Sequence, residues 1–345
     1  MKQKIGIENL KIGKVIAEDI FFNGLKLVGK NTIVNDYMIK RLIECGITSL
    51  YIYDDKGEIK EEQFSEIHEQ YTSVILEIKK VVEELSVNEK INYETIQNIS
   101  QSIIGQFKEV NSVIQCLNTI KDSHNYTYTH CINVAFYSML LAKWLNLSED
   151  EICEVTDAAL LHDIGKTKVP LKILDKPARL TNEEFEEIKK HSMYGYKLIS
   201  DHDDINLRVK EAVLEHHERE DGSGYPFGTK GRDIPVYAKI IGITDTFDAM
   251  TSSRVYKDKR TPFVAFKMYS TEGRRLYDQD ILNVFLENIS KNYIGSKVVL
   301  KDGAVGEIVY IPPKDTVCPI VKVNDRYINF SHEDIDSIKE VISFT

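Results

Sequence analysis

The chain has 345 residues, enough for about two domains with room for a small third. Hydrophobic residues make up 42% and charged residues 28%, the balance of an ordinary globular protein. With 54 acidic against 44 basic residues the formal charge is -10, which excludes broad coating of DNA or RNA.

A phosphate ligand would therefore have to be drawn by metal ions or by a local basic cluster. No leader-like apolar segment opens the chain, and no run of about 18 apolar residues occurs, so a cytoplasmic protein without a membrane span is expected. The five cysteines, Cys45, Cys116, Cys131, Cys153 and Cys318, are scattered and form no CxxC pair. They read as reduced thiols rather than as a disulfide framework or a thiolate zinc site.

Residues 1–57 mix strand and helix signals and are expected to form a small α+β regulatory domain. Strand-like runs at 16–22 and 25–28 flank Asn23-Gly24, a hairpin turn signal. A helix is expected over 34–45, stopped by Gly46, then a strand over Ser49–Tyr53 and a turn at Asp54-Asp55-Lys56-Gly57. Residues 58–115 read as a helical linker. Within it Phe64, Ile67, Tyr71, Val74, Ile78, Val81 and Leu85 alternate by three and four, a heptad seam. Two accounts compete: a homodimer through residues 64–85, or a helix packed on its own domain. Ile75, Leu76 and Val82 widen the stripe and favour the second.

Residues 116–293 continue the helical pattern, with capping boxes at Ser148-Glu149-Asp150-Glu151 and Thr181-Asn182-Glu183-Glu184. Residues 294–345 change character. Short apolar runs at 298–300, 306–311 and 319–323, with turns at Asp302-Gly303 and Pro312-Pro313, predict a small β module.

Five histidines recur through the helical region: His130, His162, His191, His216 and His217. The gaps between them each accommodate a helix and a connection, so the groups fall on successive helices of one bundle, where inward side chains build metal sites. His162 shares the apolar face of Ile152, Val155 and Ala159, and His216 that of Val209 and Val213. Asp245 and Asp248 continue the face of Ala238 and Ile241. A lone inward histidine is usually a hydrogen-bonded core residue. Several histidines with aspartates on several inward faces are most simply satisfied by a shared metal site, because an unpaired buried carboxylate is costly. Imidazole and carboxylate without thiolate suit iron, manganese, nickel or catalytic zinc. The ligands are too many for one tetrahedral ion, and Asp163, beside His162, is the carboxylate placed to bridge two ions.

His162-Asp163-Ile164-Gly165-Lys166, followed by His216-His217-Glu218-Arg219-Glu220-Asp221-Gly222-Ser223-Gly224-Tyr225-Pro226, resembles the HD-GYP family of bacterial cyclic di-GMP phosphodiesterases. The resemblance covers about 120–290, with Tyr126-Thr127-Tyr128-Thr129-His130 upstream and the segment from Asp245 to Lys257 downstream. It implies a mainly α fold: an HD-type helical bundle carrying a dinuclear metal site, flanked by the α+β and β modules. It implies that His130, His162, Asp163 and Asp245 hold one ion, and that Asp163, His191, His216 and His217 hold the other. Two divalent ions are expected, iron or manganese first, nickel or zinc as alternatives. Lys166 would face the scissile phosphate. Gly224, Tyr225 and Pro226 would border the substrate, with Tyr225 against a guanine or its ribose. Arg254 and Lys257 would bind phosphate oxygens. Some members carry a glutamate four residues before the first histidine and a third metal; Tyr126 stands there in this chain, so two ions are expected.

The function implied is hydrolysis of cyclic di-GMP to pGpG, and onward to GMP in the fuller version, by two-metal activation of a bridging hydroxide. A non-catalytic cyclic dinucleotide receptor is the contrasting account, against which the intact ligand set speaks. A phosphohydrolase of another nucleotide is the third. Turnover of cyclic di-GMP by metal-loaded protein separates the first two.

Overall fold

The computed structural model of the chain describes residues 2–30, 32–53, 73–81, 92–106, 126–176, 178–252 and 260–342. The chain groups into two compact units, Met1–Phe64 with Thr261–Ser270 and Leu286–Thr345, and Ser65–Arg260 with Thr271–Phe285. The N-terminal module expected over 1–57 and the β module expected over 294–345 thus fall in one unit.

In the first unit, β1 (Lys2–Gly6) pairs antiparallel with β4 (Ser49–Tyr53), and β2 (Ile20–Phe22) pairs with β3 (Leu25–Val28). Asn23 and Gly24 between them both take positive φ, 50° and 76°, as a tight hairpin requires. β2 is shorter than the run 16–22 suggested. Ile16 bridges Ile52 and the Ala17 amide donates to the Tyr51 carbonyl, so these residues are drawn to β4 instead. Helix α1 (Asp36–Glu44) starts at Asn35, whose side chain accepts from the Met38 amide at 2.9 Å. Its inward Met38 and Leu42 join Leu10, Ile16, Val34, Leu50 and Ile52 in one core, to which Tyr310 of the β module is added. The Tyr310 hydroxyl donates to the Leu27 carbonyl, and the Asn35 side-chain Nδ2 donates to the Val309 carbonyl at 2.7 Å.

The β module is a five-stranded antiparallel sheet in the order β8-β7-β6-β5-β9. Its strands are β5 (Lys297–Leu300), β6 (Val305–Tyr310), β7 (Ile320–Val323), β8 (Arg326–Asn329) and β9 (Ile338–Ile342). The first three lie where the apolar runs place them. β8 and β9 are two further strands.

The second unit is helical. Residues 73–81 form a helix, α2, in which Val74, Ile75, Ile78 and Val81 are buried within the one chain. Leu76, which widens the stripe in the sequence, is exposed on the same helix. Phe64, Ile67, Tyr71, Val82 and Leu85 lie outside the described residues. Helix α3 spans Tyr93–Gln106 and α4 spans Tyr126–Trp144. α4 is buried on every side from Thr129 to Ala142, the signature of a central helix. Against it pack α5 (Glu149–Leu161) and α10 (Val236–Thr251). Between them come a 3₁₀ turn (Ile164–Lys168), α6 (Leu171–Leu174), α7 (Asn182–Lys189), α8 (His191–Ile199) and α9 (Leu207–Glu215). Both expected capping boxes form, at Ser148 with Glu151 and at Thr181 with Glu184. Among the described residues no helix is long and apolar enough to cross a membrane, and Cys45, Cys131, Cys153 and Cys318 form no disulfide.

Candidate metal centre

The bundle brings His130 (α4), His162 and Asp163 (end of α5), His191 (start of α8), His216-His217 (end of α9) and Asp245 (α10) into one pocket of the second unit. Ligand atoms of His130, His162 and Asp245 lie within 4.8 Å of one another, and so do those of His191, His216 and His217. A third set, His162, Asp163 and His216, spans the two. The Asp163 carboxylate divides between them. Its Oδ2 lies 3.4 Å from His162 Nε2 and 3.6 Å from His130 Nε2, while Oδ1 lies 3.4 Å from His191 Nε2.

The imidazoles are aimed by their Nδ1 atoms. His162, His191 and His216 direct Nδ1 at the carbonyls of Ala159, Ile188 and Val213, at 2.7, 2.7 and 2.9 Å. A carbonyl only accepts, so each Nδ1 carries the proton and each Nε2 presents a lone pair to the pocket. His130 is oriented by Asp248, whose Oδ2 is 2.8 Å from its Nδ1. Asp248 is fully buried and also accepts from Asn133 Nδ2 at 2.8 Å and Ser252 Oγ at 2.7 Å.

Two local features let the elements approach this closely. Gly165 follows the His162-Asp163 pair, and a Cβ there would stand 1.9 Å from the His191 carbonyl oxygen. Gly224 lies against the chain just beyond His217, where a Cβ would meet the His217 carbonyl oxygen and the Glu218 Cα at 2.5 Å. Any side chain at either point pushes a ligand-bearing segment away.

Electrostatics favour a cation. Burial opposes ionisation of Asp163, but Lys166 and the imidazoles overcome it and hold its carboxyl well below the usual range. Asp245 is likewise held down against burial by His130. Burial, reinforced by neighbouring imidazoles, pushes His216 well below the usual histidine range. Burial also pushes His217 well below it and lowers His191. At His130, burial is outweighed by hydrogen bonds and charge from Asp245 and Asp248, which raise it to about 9, so the metal-free ring holds a proton on Nε2 that a divalent ion would displace. The His162 Nε2 is buried and has no hydrogen-bond partner among the described residues. The lowered imidazoles of His191, His216 and His217, the ionised carboxylates of Asp163 and Asp245 and the orphaned His162 nitrogen fit divalent metal ions with nitrogen and oxygen ligands.

Lys166 donates to Asp163 Oδ2, and Asp163 holds its ammonium above the ordinary lysine range despite burial. The Tyr225 ring stacks on His217, with centroids 4.6 Å apart and planes 28° apart, and the Tyr225 amide donates to the His217 carbonyl at 3.3 Å. Gly224 and Pro226 flank it. Lys189 lies 5.6 Å over the Tyr225 ring and 4.9 Å over that of Phe185. Arg254, Lys257 and the side chain of Tyr126 lie outside the described residues. Two contributors went unassigned in the sequence. Asp248 was on the inward face, yet nothing in its spacing marks it as the partner of His130. Glu218 is buried and its Oε1 accepts from the Phe227 and Gly228 amides at 2.7 and 3.0 Å, pinning the loop after Tyr225; no periodicity announces it.

Residues 115–281 match the HD domain family model. A cyclic di-GMP phosphodiesterase of Pseudomonas aeruginosa is 32% identical over 230 residues, 67% of this chain and 54% of the relative. One from Thermotoga maritima is 38% identical over 180 residues, 52% of this chain and 48% of the relative. A 3'3'-cGAMP-specific phosphodiesterase of Vibrio cholerae is 32% identical over 211 residues, 61% of this chain and 40% of the relative. The chain thus spans about half the length of the curated relatives it matches. Among solved structures, an HDG"Y"P protein of Bdellovibrio bacteriovorus superposes with a TM-score of 0.52 at 17% identity, covering 83% of this chain and 98% of that one, a likeness of fold.

Proposed function

Because the chain belongs to the HD-GYP family of HD domains, we propose that it is a metal-dependent phosphodiesterase that hydrolyses cyclic di-GMP to pGpG. The observation that carries this reading is the division of Asp163 between two ligand clusters, its Oδ2 toward His130 and His162 and its Oδ1 toward His191. In the proposal His130, His162, Asp163 and Asp245 hold one divalent ion, and Asp163, His191, His216 and His217 hold the second. Iron or manganese suits this donor set, with nickel or zinc as alternatives. Two such ions supply an activated water and Lewis-acid stabilisation of the phosphodiester.

The chain's own residues supply the rest. The Nδ1 contacts keep the Nε2 atoms aimed into the cluster before any ion or substrate arrives. Lys166 carries a proton at Nζ beside Asp163, where it can neutralise charge on a phosphoryl oxygen or donate to the leaving 3′ oxygen. Tyr225, stacked over His217 and flanked by Gly224 and Pro226, offers a flat face to a guanine or its ribose. Arg254 and Lys257 are proposed to bind the phosphates.

Anaerobic metal analysis coupled to product chromatography tests the reading. Metal-loaded protein should convert cyclic di-GMP to pGpG, and metal-free protein should not. Loaded protein that binds the dinucleotide without turnover would replace this reading by the receptor account. One observation favours a second substrate: two relatives from Vibrio cholerae, 32% and 35% identical, carry the name 3'3'-cGAMP-specific phosphodiesterase. Comparing kcat/KM for the two cyclic dinucleotides decides between them.

A further inference from the structure

The β module of the first unit gathers a second set of metal-binding atoms, unlike the first in kind. A carboxylate oxygen of Asp315, the Sγ of Cys318 and an imidazole nitrogen of His332 lie within 4.8 Å of one another. The placement follows from topology. β7 and β8 form a hairpin, registered from Ile320 opposite Asn329 to Val323 opposite Arg326. Asp315 and Cys318 lie on the turn that enters β7, and His332 lies just beyond β8, so all three meet at the open end of that hairpin.

Both turns are held independently of this contact. The Asp315 amide donates to the Pro312 carbonyl at 3.0 Å, and the Cys318 amide to the Asp315 carbonyl at 3.2 Å. The Phe330 amide reaches the Pro319 carbonyl at 3.2 Å, carrying the ladder past the strand ends. Ser331 Oγ donates to Asp334 Oδ2 at 2.8 Å and accepts from the Glu333 and Asp334 amides at 3.3 Å. Val317, beside Cys318, and Phe330, two residues before His332, are buried and anchor the turns to the core. The three donors are thus presented by fixed backbone.

An ordinary surface ion pair accounts for part of this. His332 Nε2 lies 3.0 Å from Asp315 Oδ1, and both side chains are about half exposed. It does not account for the thiol on the same carboxylate. The Cys318 Sγ lies within 4.8 Å of a carboxylate oxygen of Asp315 and a ring nitrogen of His332.

We propose that Asp315, Cys318 and His332 form a second, separate metal site for a Zn²⁺-type ion, which clips the open end of the β7–β8 hairpin. Thiolate, imidazole and carboxylate together suit a borderline-soft tetrahedral ion and disfavour magnesium or calcium. Binding forms the metal–sulfur bond as the Sγ proton leaves to solvent, and the fourth position falls to water or an outside ligand. The clip has an evident mechanical target. β8 is an edge strand, exposed at all four residues and paired in its sheet to β7 alone.

The test uses Co²⁺ added to the full chain under anaerobic conditions. A thiolate ligand gives a near-ultraviolet sulfur-to-cobalt charge-transfer band that imidazole and carboxylate ligands cannot give, so the proposed catalytic cluster is silent in it. The band should appear in the wild type and vanish in Cys318→Ser. His332→Ala and Asp315→Ala should weaken the cobalt affinity read from it by roughly tenfold or more, at least the loss expected for removing an outer-shell partner. Zn²⁺ should also slow amide exchange over Arg326–Asn329 in the wild type and leave it unchanged in Cys318→Ser. No band in the wild type, or a band that survives in Cys318→Ser, overturns the proposal. His332→Ala, at an exposed position, serves as the decisive variant should Cys318→Ser fail to fold, and unchanged cobalt affinity there overturns it equally.

Discussion

Replacing Asp248 by asparagine tests whether the metal centre is aimed by the side chain behind His130. Asp248 receives three donors on two oxygens: His130 Nδ1 on Oδ2, Asn133 Nδ2 and Ser252 Oγ on Oδ1. An amide has one acceptor oxygen. If that oxygen turns to His130, the new NH₂ faces Asn133 and Ser252. If it turns away, the NH₂ faces His130 Nδ1, and the ring proton is driven to Nε2, the atom 3.2 Å from Asp245 Oδ1. Either orientation loses at least one charge-assisted hydrogen bond in a fully buried position, about 1.5–3 kcal/mol for each. Carried into ion binding, that is roughly 10- to 100-fold in affinity. Titration calorimetry with Mn²⁺ measures it, with melting temperature recorded in parallel. Ser138→Ala is the control. It breaks the 2.7 Å Ser138–Thr244 contact between α4 and α10 without touching a ligand, so it should lower the melting temperature and leave Mn²⁺ affinity alone. Unchanged affinity in Asp248→Asn, with only the melting temperature lowered, would refute the aiming role.

Asp163→Ala should strip both ions, since each oxygen faces a different cluster; elemental analysis reads this, and retention of one full equivalent would contradict the bridge. Gly165→Ala places a Cβ 1.9 Å from the His191 carbonyl oxygen and should cost at least about 1–3 kcal/mol in denaturant unfolding, with weaker metal binding as α8 moves. Glu218→Ala orphans the Phe227 and Gly228 amides and should raise KM while metal content stays at the wild-type level. Asp157 is buried and held above the usual aspartate range, with Tyr93 donating to its Oδ2 at 2.7 Å. A raised folded pKa means its favourable contribution is full at acid pH and is lost as pH rises through that value. Asp157→Asn should therefore gain melting temperature over the wild type on going from about pH 4 to about pH 8; a constant difference would show that Asp157 does not titrate on unfolding.

Where local chemistry decides the outcome, the sequence was readable. Asn23-Gly24 makes the hairpin, Ser148 and Thr181 make their caps, and the face shared by Val155, Ala159 and His162 turns inward. The pairings that rest on distant partners were not. β1 is largely exposed and polar, and only its hydrogen bonds to β4 make it a strand. β8 has no buried residue, so no alternation betrays it. The grouping of the N-terminal module with the β module depends on Tyr310 and Val309 reaching Leu27 and Asn35, contacts that no window of sequence contains. The centre divides in the same way. Its ligands declare themselves by residue type and helical face, whereas Asp248 and Glu218 act through neighbours that only the fold supplies.

The source of each Nδ1 acceptor has a consequence for how the centre comes together and comes apart. His162, His191 and His216 each find it three residues back, within a single turn of their own chain. Their proton positions are set by local helix formation and need no loop to close. His130 finds its acceptor 118 residues away, so its orientation awaits the docking of α4 on α10 and carries the entropy of that closure. Mild denaturant that loosens those two helices should therefore release the ion held by His130 while the His191–His216–His217 cluster still retains its own.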